Sequence, residues 1–508
     1  ALGDDDLMNN ANMVVFVVAD MHSSVKKYSN RGYRYALLET GHIAQNAYLY
    51  SAEQGIGIVE YGGYSDHAIA SLIGLQYPRQ AVLTSLILGV PGKVVPQVNQ
   101  KTLIQVQSTL LAPTGPIIEM VVGKIGSGKY RFPLYAGSVK YKVPVKNKRE
   151  KWYGDGFSTG TSQEEAQLKA LAEAWERYVP DSMQFATWER FRATDLQSGK
   201  WVHPYDIYPL SAEQQKMFAN QLTGFDAEQE WEWVSAQKLG DVNPVYIPVD
   251  AVYYPRGIRH RLRRYPCIWA CSNGVAAHSS IDVAIRSATL ELIERDSFMA
   301  SWYSRRPVRS FPREFMEEIA GNRLQAWRSL GAQVVALDIT TDTVPVVLVL
   351  IYSHARQPAL SSGSSAGPTY EMAFATAFAE AELMALSWAK RKKKCIEPSM
   401  VRSVADHGVL YSHPKSLESL DWLITSESYT ESPTVRMGVD EAIKKVNPFI
   451  VNLTPTRPRT GLCVVRAIAP SLLPINFGWG TEPYGHTRLS ELGLTWKDTF
   501  PAFPHFMS

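Results

Sequence analysis

The phrase Glu-x-x-Glu-Arg occurs twice in this chain, first as Glu173, Glu176 and Arg177 and again as Glu291, Glu294 and Arg295. The offset that superposes the two copies also places Gly156 on Gly274, Ser162 on Ser280, Ala166 on Ala284 and Ala170 on Ala288, without a gap. Residues three apart on a helix share a face, so each copy presents its two carboxylates together. One such phrase alone reads as a solvated acidic face, but the repetition argues for more. The second copy lies within Ala288–Tyr303, where apolar residues take most of the helix circumference. Burying unpaired carboxylates there is costly. Mg2+ with phosphate oxygens neutralises such acids and leaves the arginines to hold phosphate.

A third helix continues the series. Shifting the second copy onward places Gly274 on Gly363, Ser280 on Thr369, Asp282 on Glu371, Ala284 on Ala373 and Ala288 on Ala377. Glu291 then falls on Glu380, while Glu294 meets Leu383. Two helices are therefore expected to carry the metal, with the third supporting them. Before the second helix, Ser272-Asn273-Gly274 offers a hydroxyl, an amide and a flexible backbone suited to a nucleotide, although such a sequence is also a common turn.

Other features have plainer readings. Gly123–Tyr130 nearly matches a P-loop, but Tyr130 replaces the metal-binding hydroxyl and Pro133 discourages the helix that should follow. It is read as a strand-connecting turn. The basic run Lys390–Lys394 suits a solvated helix C-terminus. Cys267 and Cys271 lack a second Cys/His pair nearby, so zinc is not expected.

These residues need elements to hold them. The 508 residues exceed one ordinary domain, and 45% hydrophobic with 20% charged residues is usual for a globular chain. A net charge of +3 makes no case for nucleic acid or membrane, and no apolar run is long enough to span a bilayer. The acidic start, Ala1–Asp6, is unlike a secretory signal and lacks an initiator Met, which suggests a fragment or processed product. A cytoplasmic, reduced protein is expected.

Residues 1–95 read as a strand at Met13–Val18, a helix over Arg34–Gly55, a glycine turn at Gly62-Gly63, a helix around His67–Leu75 and a strand at Ala81–Gly89. Residues 96–115 read as a linker. From 116 to 508, short strands such as Pro116–Val122 and Val245–Val252 alternate with long alanine-rich helices. The fold class is therefore α/β (α+β), built on internally repeated strand–helix units and preceded by a smaller α+β segment.

From Gly115 onward the chain resembles the YcaO family of ATP-dependent enzymes that activate backbone amides. The resemblance rests on Gln163–Tyr178, Ser272–Trp302, Thr114-Gly-Pro-Ile-Ile-Glu119, Glu294-Arg-Asp-Ser-Phe298 and Asn476-Phe-Gly-Trp-Gly480 through His486. It implies that Glu173, Glu176, Glu291 and Glu294 are catalytic and metal-ligating, with ATP and Mg2+ as cofactors. It also implies that Arg177, Ser272, Asn273, Gly274, Arg295 and Glu380 bind ATP. In the implied chemistry a Cys, Ser or Thr side chain of a peptide attacks the preceding carbonyl. The resulting oxygen is phosphorylated, and loss of phosphate leaves a thiazoline or oxazoline. Two positions depart from the family pattern. Lys169 replaces a frequent Ser, and the tail Phe500–Ser508 keeps only Pro504 of a P-x-P-x-P register that reaches the active site in azoline-forming members.

The first 95 residues resemble the C-terminal half of nitroreductase-like, SagB-type azoline dehydrogenases, through Lys27-Tyr28, Arg31–Tyr35 and Gly41–Asn46. The resemblance makes Lys27 and Tyr28 the catalytic pair and puts Gly62 and Gly63 in a flavin-contacting loop. The arginine-bearing half that grips the flavin phosphate is absent, so FMN binding by this segment alone is not expected.

The resemblances imply a peptide cyclodehydratase acting on a ribosomally made precursor. Nothing resembles a leader-peptide-recognition domain, so a separate partner should deliver the peptide; a complementary dehydrogenase and homo-oligomerisation are further expected associations. The rivals are thioamide or macroamidine formation at the same ATP site, and a scaffold that binds peptide and partner without turnover.

Overall fold

The computed structural model describes residues 12–53, 56–89, 100–124, 135–144, 152–241, 243–355, 357–388, 396–431, 433–498, 500 and 502–507. The chain divides into two compact units, Ala1–Gln97 and Val98–Ser508.

The first unit contains β1 (Met13–Asp20), α1 (Met21–Tyr28), α2 (Arg31–Glu53), β2 (Gly57–Tyr61), α3 (Asp66–Ile73) and β3 (Gln80–Gly89). Its sheet is antiparallel in the order β1-β3-β2. Helix α2 starts at Arg31, three residues before the sequence suggests, and its expected stop at Gly55 lies outside the described residues. Helix α1 has no counterpart in the sequence reading. Asp20 caps it, accepting from the Ser23 N–H at 3.1 Å. Gly32 lets α2 cross close to it, since a Cβ there would stand 2.4 Å from the Ser24 carbonyl oxygen.

The second unit begins with α4 (Gln100–Leu110), inside the stretch read as linker. Val106 and Leu110 of this helix are fully buried in that unit's core. Strands β4 (Ile117–Lys124), β5 (Tyr135–Lys142) and β6 (Tyr153–Gly160) form an antiparallel sheet covered by α5 (Gln163–Ser182). A second sheet contains β7 (Glu189–Arg192), β8 (Glu230–Lys238), β9 (Val245–Pro248) and β10 (Val275–His278), with two later strands. Helix α6 (Ile281–Ser304) follows β10. Next come β11 (Arg309–Ser310), α7 (Arg313–Ser329), β12 (Gln333–Asp338), β13 (Val346–Tyr352), β14 (Leu360–Ala366) and α8 (Tyr370–Trp388), forming a four-stranded sheet with its helices. Helix α9 (Val404–Leu410), β15 (Phe449–Asn452) and β16 (Cys463–Ile468) complete the frame. The second sheet runs β10-β16-β15-β8-β7, with β9 on β8.

Every ladder between named strands is antiparallel, so the fold is the α+β form of the expected class. Val245–Val252 is not one strand. Pairing ends at Pro248, which has no N–H to continue a ladder, and Val249–Val252 makes a helical turn. Strand β4 reaches Lys124, and the rest of the near-P-loop lies outside the described residues, as does Lys390–Lys394.

The sequence repeat is a structural repeat. Each of β6, β10 and β14 runs directly into α5, α6 or α8. Ser162 caps α5 through the Glu165 N–H at 3.1 Å, and the Thr369 hydroxyl accepts from Met372 N–H at 3.3 Å. At Gly156 and Gly363 the strand lies against its helix. A Cβ would stand 2.5 Å from the Ala174 nitrogen in the first and 2.2 Å from the Ala377 oxygen in the second. Gly274 differs, because Leu292 replaces the small helix residue and the chain turns there with φ +78°.

Candidate functional site

Three helices bring their glutamates to one cleft. In each repeat the first glutamate accepts a backbone N–H from the strand before its own helix or, in the second repeat, from the residue that leads into that strand. Glu173 Oε2 takes Phe157 N–H at 2.9 Å, Glu291 Oε2 takes Gly274 N–H at 3.0 Å and Glu380 Oε2 takes Ser364 N–H at 3.2 Å. Phe157 and Ser364 are equivalent repeat positions, and Gly274 comes one residue earlier because of its turn. The second glutamates reach further. Glu176 Oε2 accepts from Ala277 N–H on β10 at 3.1 Å, and Glu294 Oε1 accepts the Ser364 hydroxyl on β14.

The arginines lie among these acids. Arg177 pairs with Glu173 at 2.6 Å and donates to the Asp155 carbonyl oxygen at 3.1 Å. Arg295 lies 3.2 Å from Glu294 and 3.9 Å from Glu291. Burial raises the Glu176 pKa well above the usual range, reinforced by Glu291 and Glu173. Burial also lifts Glu294 to about 8, with Glu380 adding to the effect and Arg295 opposing it. Glu173, Glu291 and Glu380 are raised by burial too, against the pull of Arg177 on the first and Arg295 on the other two. Solvent still enters, since Glu380 is exposed and Glu173, Glu176 and Glu291 are only half-buried. The cluster is thus an open cleft crowded with like charge.

Among the described residues no three carboxylates are gathered as a ready metal-chelating group. Each of Glu173, Glu176, Glu291 and Glu294 is held by an arginine, a hydroxyl or a backbone N–H. Lys169 does not point to a phosphate role; it is exposed and pairs with Glu165 at 2.5 Å.

The Ser272–Gly274 loop closes one side. The Ser272 carbonyl accepts from Val275 N–H at 3.0 Å, and the Gly274 carbonyl takes Ala467 N–H at 2.7 Å. Asn273 is buried. In the first unit, Lys27 and Tyr28 are exposed at the end of α1, the ammonium 4.9 Å from the ring centroid, and the exposed Gly62-Gly63 follows β2.

Sequence reasoning missed several residues. Ser364 serves two glutamates at once; its signal is a hydroxyl directly after the repeat glycine. Arg466 is a lone charge within the apolar strand Cys463–Ile468 and is 6% exposed. The C-terminal segment is also built into the site. Trp302 donates to the Phe503 carbonyl at 3.0 Å and Tyr411 to the Pro504 carbonyl at 2.8 Å. The Met507 thioether then contacts the Arg295 guanidinium and lies 4.0 Å from the Ser364 hydroxyl. The expected proline register is broken, yet the segment still reaches the cluster.

Fold and cluster together define an α+β protein whose carboxylate–arginine site is assembled from strand–helix repeats. Residues 157–473 match the profile of YcaO cyclodehydratase, ATP- and Mg2+-binding, and the chain belongs to that family. Residues 1–92 match the nitroreductase family. Among solved structures, a heterocyclase in complex with substrate and cofactor shares the fold at TM-score 0.58 and 21% identity, over 75% of this chain and 52% of that one. YcaO from Methanopyrus kandleri, bound with AMPPCP and Mg2+, matches at TM-score 0.50 and 17% identity, over 76% and 91%. A Methanocaldococcus jannaschii protein with a provisional nitroreductase name is 35% identical over 69 residues, 13% of this chain and 35% of that protein. The chain spans about a third to a half of the length of the curated relatives it matches. Among the described residues no helix is long and apolar enough to cross a membrane.

Proposed function

We propose that this chain is an ATP- and Mg2+-dependent cyclodehydratase that converts Cys, Ser or Thr of a ribosomally made precursor peptide to thiazoline or oxazoline. The observation that carries the reading is the convergence of Glu173, Glu176, Glu291, Glu294 and Glu380 with Arg177 and Arg295 in one solvent-reached cleft. Half-buried acids with raised pKa values fit a site completed by a cation, and the two guanidiniums fit phosphate oxygens.

Glu173, Glu176, Glu291 and Glu294 would hold Mg2+, while Arg177 and Arg295 would orient the polyphosphate. When bound, Mg-ATP supplies the phosphoryl group that turns the amide oxygen into a leaving group. The protein's own contribution is positioning and charge neutralisation. Glu380 accepts the Ser364 N–H while the Ser364 hydroxyl donates to Glu294, so Ser364 links the third repeat to the second.

Two features favour heterocycle formation over thioamide or amidine chemistry. The C-terminal segment reaches Arg295, and the chain also carries a nitroreductase-family segment, whose azoline-oxidising members act on heterocycle products. A separate leader-binding partner would present the precursor.

The test is phosphate release from ATP in the presence of precursor and partner, with product mass. Loss of one water per modified residue marks an azoline, whereas exchange of oxygen for sulfur marks a thioamide. Unchanged phosphate release by Glu291→Gln would overturn the assignment of the metal site.

A further inference from the structure

Beside the carboxylate cleft lies a small pocket that neither the metal nor the phosphates require. Its walls are apolar, formed largely by Ile268, Trp269, Leu473 and Ile475, and its volume is about 60 Å3. Leu292, next to Glu291 on α6, contributes to the wall, so the pocket adjoins the cluster. Its polar lining includes Asn273 and Arg466.

Both side chains are more than nine-tenths buried, and both hold an unmatched group. Arg466 gives one N–H to the Cys271 carbonyl at 2.6 Å, but its Nε has no acceptor. Among the described residues Arg466 makes no ion pair. The Asn273 Oδ1 has no donor. Buried polar groups are ordinarily satisfied, so an occupant is expected that both accepts and donates. A carboxylate or phosphate would accept from Arg466 yet confront Asn273 Oδ1 with another acceptor. A peptide unit carries a C=O acceptor and an N–H donor together.

We propose that this pocket seats the peptide amide to be activated, its carbonyl oxygen accepting from Arg466 Nε and its N–H donating to Asn273 Oδ1. This rests on the cyclodehydratase reading and assigns Asn273 to the peptide rather than to ATP. The volume leaves room for the amide and a small side chain on the residue before it, glycine or alanine in size, with the attacking Cys, Ser or Thr lying towards the adjoining cleft. A guanidinium at the carbonyl oxygen also stabilises the negative charge that grows there when a nucleophile adds.

The test is ligand-observed saturation-transfer NMR on the full chain with N-methylacetamide and with methyl acetate, which has nearly the same shape but no N–H. The amide is expected to give a signal about fivefold stronger, the worth of one net hydrogen bond. Asn273→Leu should reduce it to the ester level, and Arg466→Met should abolish it in protein shown by circular dichroism to be folded. In the wild-type protein, which needs no variant, precursor peptide should displace the amide. Equal signals from amide and ester, or a signal that survives the peptide, would overturn the proposal, with water alone then filling the pocket. Calorimetry with Mg-ATP separates the two readings. Nucleotide binding without amide preference sinks the pocket alone, while amide binding without nucleotide binding sinks the ATP-dependent function.

Discussion

Glu176 on α5 accepts a hydrogen bond from the Ala277 N–H on β10 at 3.1 Å, tying a carboxylate of the first repeat to the strand that leads into the second. The two copies are therefore halves of one site, because neither can shift without moving the other's acids.

Glu176→Gln separates the two roles of this side chain. The amide oxygen can still accept from Ala277, while a carboxyl whose ionised form burial, Glu291 and Glu173 all disfavour is replaced by a group that stays neutral. The melting temperature without nucleotide should hold steady or rise. Mg-ATP affinity should fall on the order of tenfold or more, the worth of a charge-assisted contact. Calorimetry beside a thermal melt reads both, and equal loss of stability and affinity would contradict the account.

The raised carboxylate pKa values set a pH trend. Glu294 is lifted from 4.5 to about 8, so its folded form holds a proton that the unfolded chain releases above pH 4.5. A folded pKa above the unfolded value favours the native state fully below 4.5, and the advantage is lost as pH rises through about 8. Nucleotide-free protein should therefore lose melting temperature between pH 5 and pH 8 through this group. Glu294→Gln should flatten that slope, and Mg-ATP should flatten it in the wild-type protein. Parallel pH–stability curves for wild type and variant would refute the burial argument.

The repeat glycines make a sharper structural claim. At Gly363 a Cβ would stand 2.2 Å from the Ala377 oxygen and 2.6 Å from the Ala381 nitrogen, both backbone atoms that cannot yield without moving α8. Gly363→Ala should cost about 1–3 kcal/mol or more. Gly321, with nothing within 4 Å of the same added atom, is the control. Gly321→Ala, next to the kink at Ala320, meets no neighbour and should change stability by no more than about 0.5 kcal/mol. Urea melts of the two variants decide the matter.

The same glycines show what the sequence could carry. Gly156, Gly274 and Gly363 keep register with the glutamates because each strand–helix contact is local, and local geometry leaves a periodic trace. The third helix was legible for this reason, down to Glu380 at the matching place. Arg466 and the C-terminal segment left no such trace. Arg466 meets Cys271 across nearly two hundred residues, and Met507 reaches Arg295 across more. The helix at Gln100–Leu110 was missed because its sequence is mostly polar, and only two of its apolar residues, Val106 and Leu110, are fully buried. Spacing places carboxylates on one face but does not name the arginines, the hydroxyl and the backbone N–H groups that hold them.

The C-terminal segment supplies the last prediction. His407 is fully buried, and its Nε2 accepts from Gly478 N–H at 3.0 Å, so the ring proton sits on Nδ1 and is donated to the His505 carbonyl at 2.6 Å. The His505 ring in turn bonds the Asn476 carbonyl at 2.7 Å. This latch joins α9, the Asn476–Gly480 loop and the segment that ends against Arg295. His407→Phe leaves a buried N–H and a buried carbonyl unmatched and should cost about 2–4 kcal/mol. Chymotrypsin should then cut at Phe503 or Phe506 well before the protein unfolds, read by mass spectrometry of the released peptide. Burial also holds the His407 pKa down to about 4, below the unfolded value of 6.5. Its share of stability is thus present above 6.5 and lost as pH falls towards 4, so on mild acidification the wild-type tail should be cut at the same phenylalanines by pepsin, a protease active in acid. A wild-type tail as resistant near pH 4.5 as at pH 7 would mean that the histidine is not what holds it.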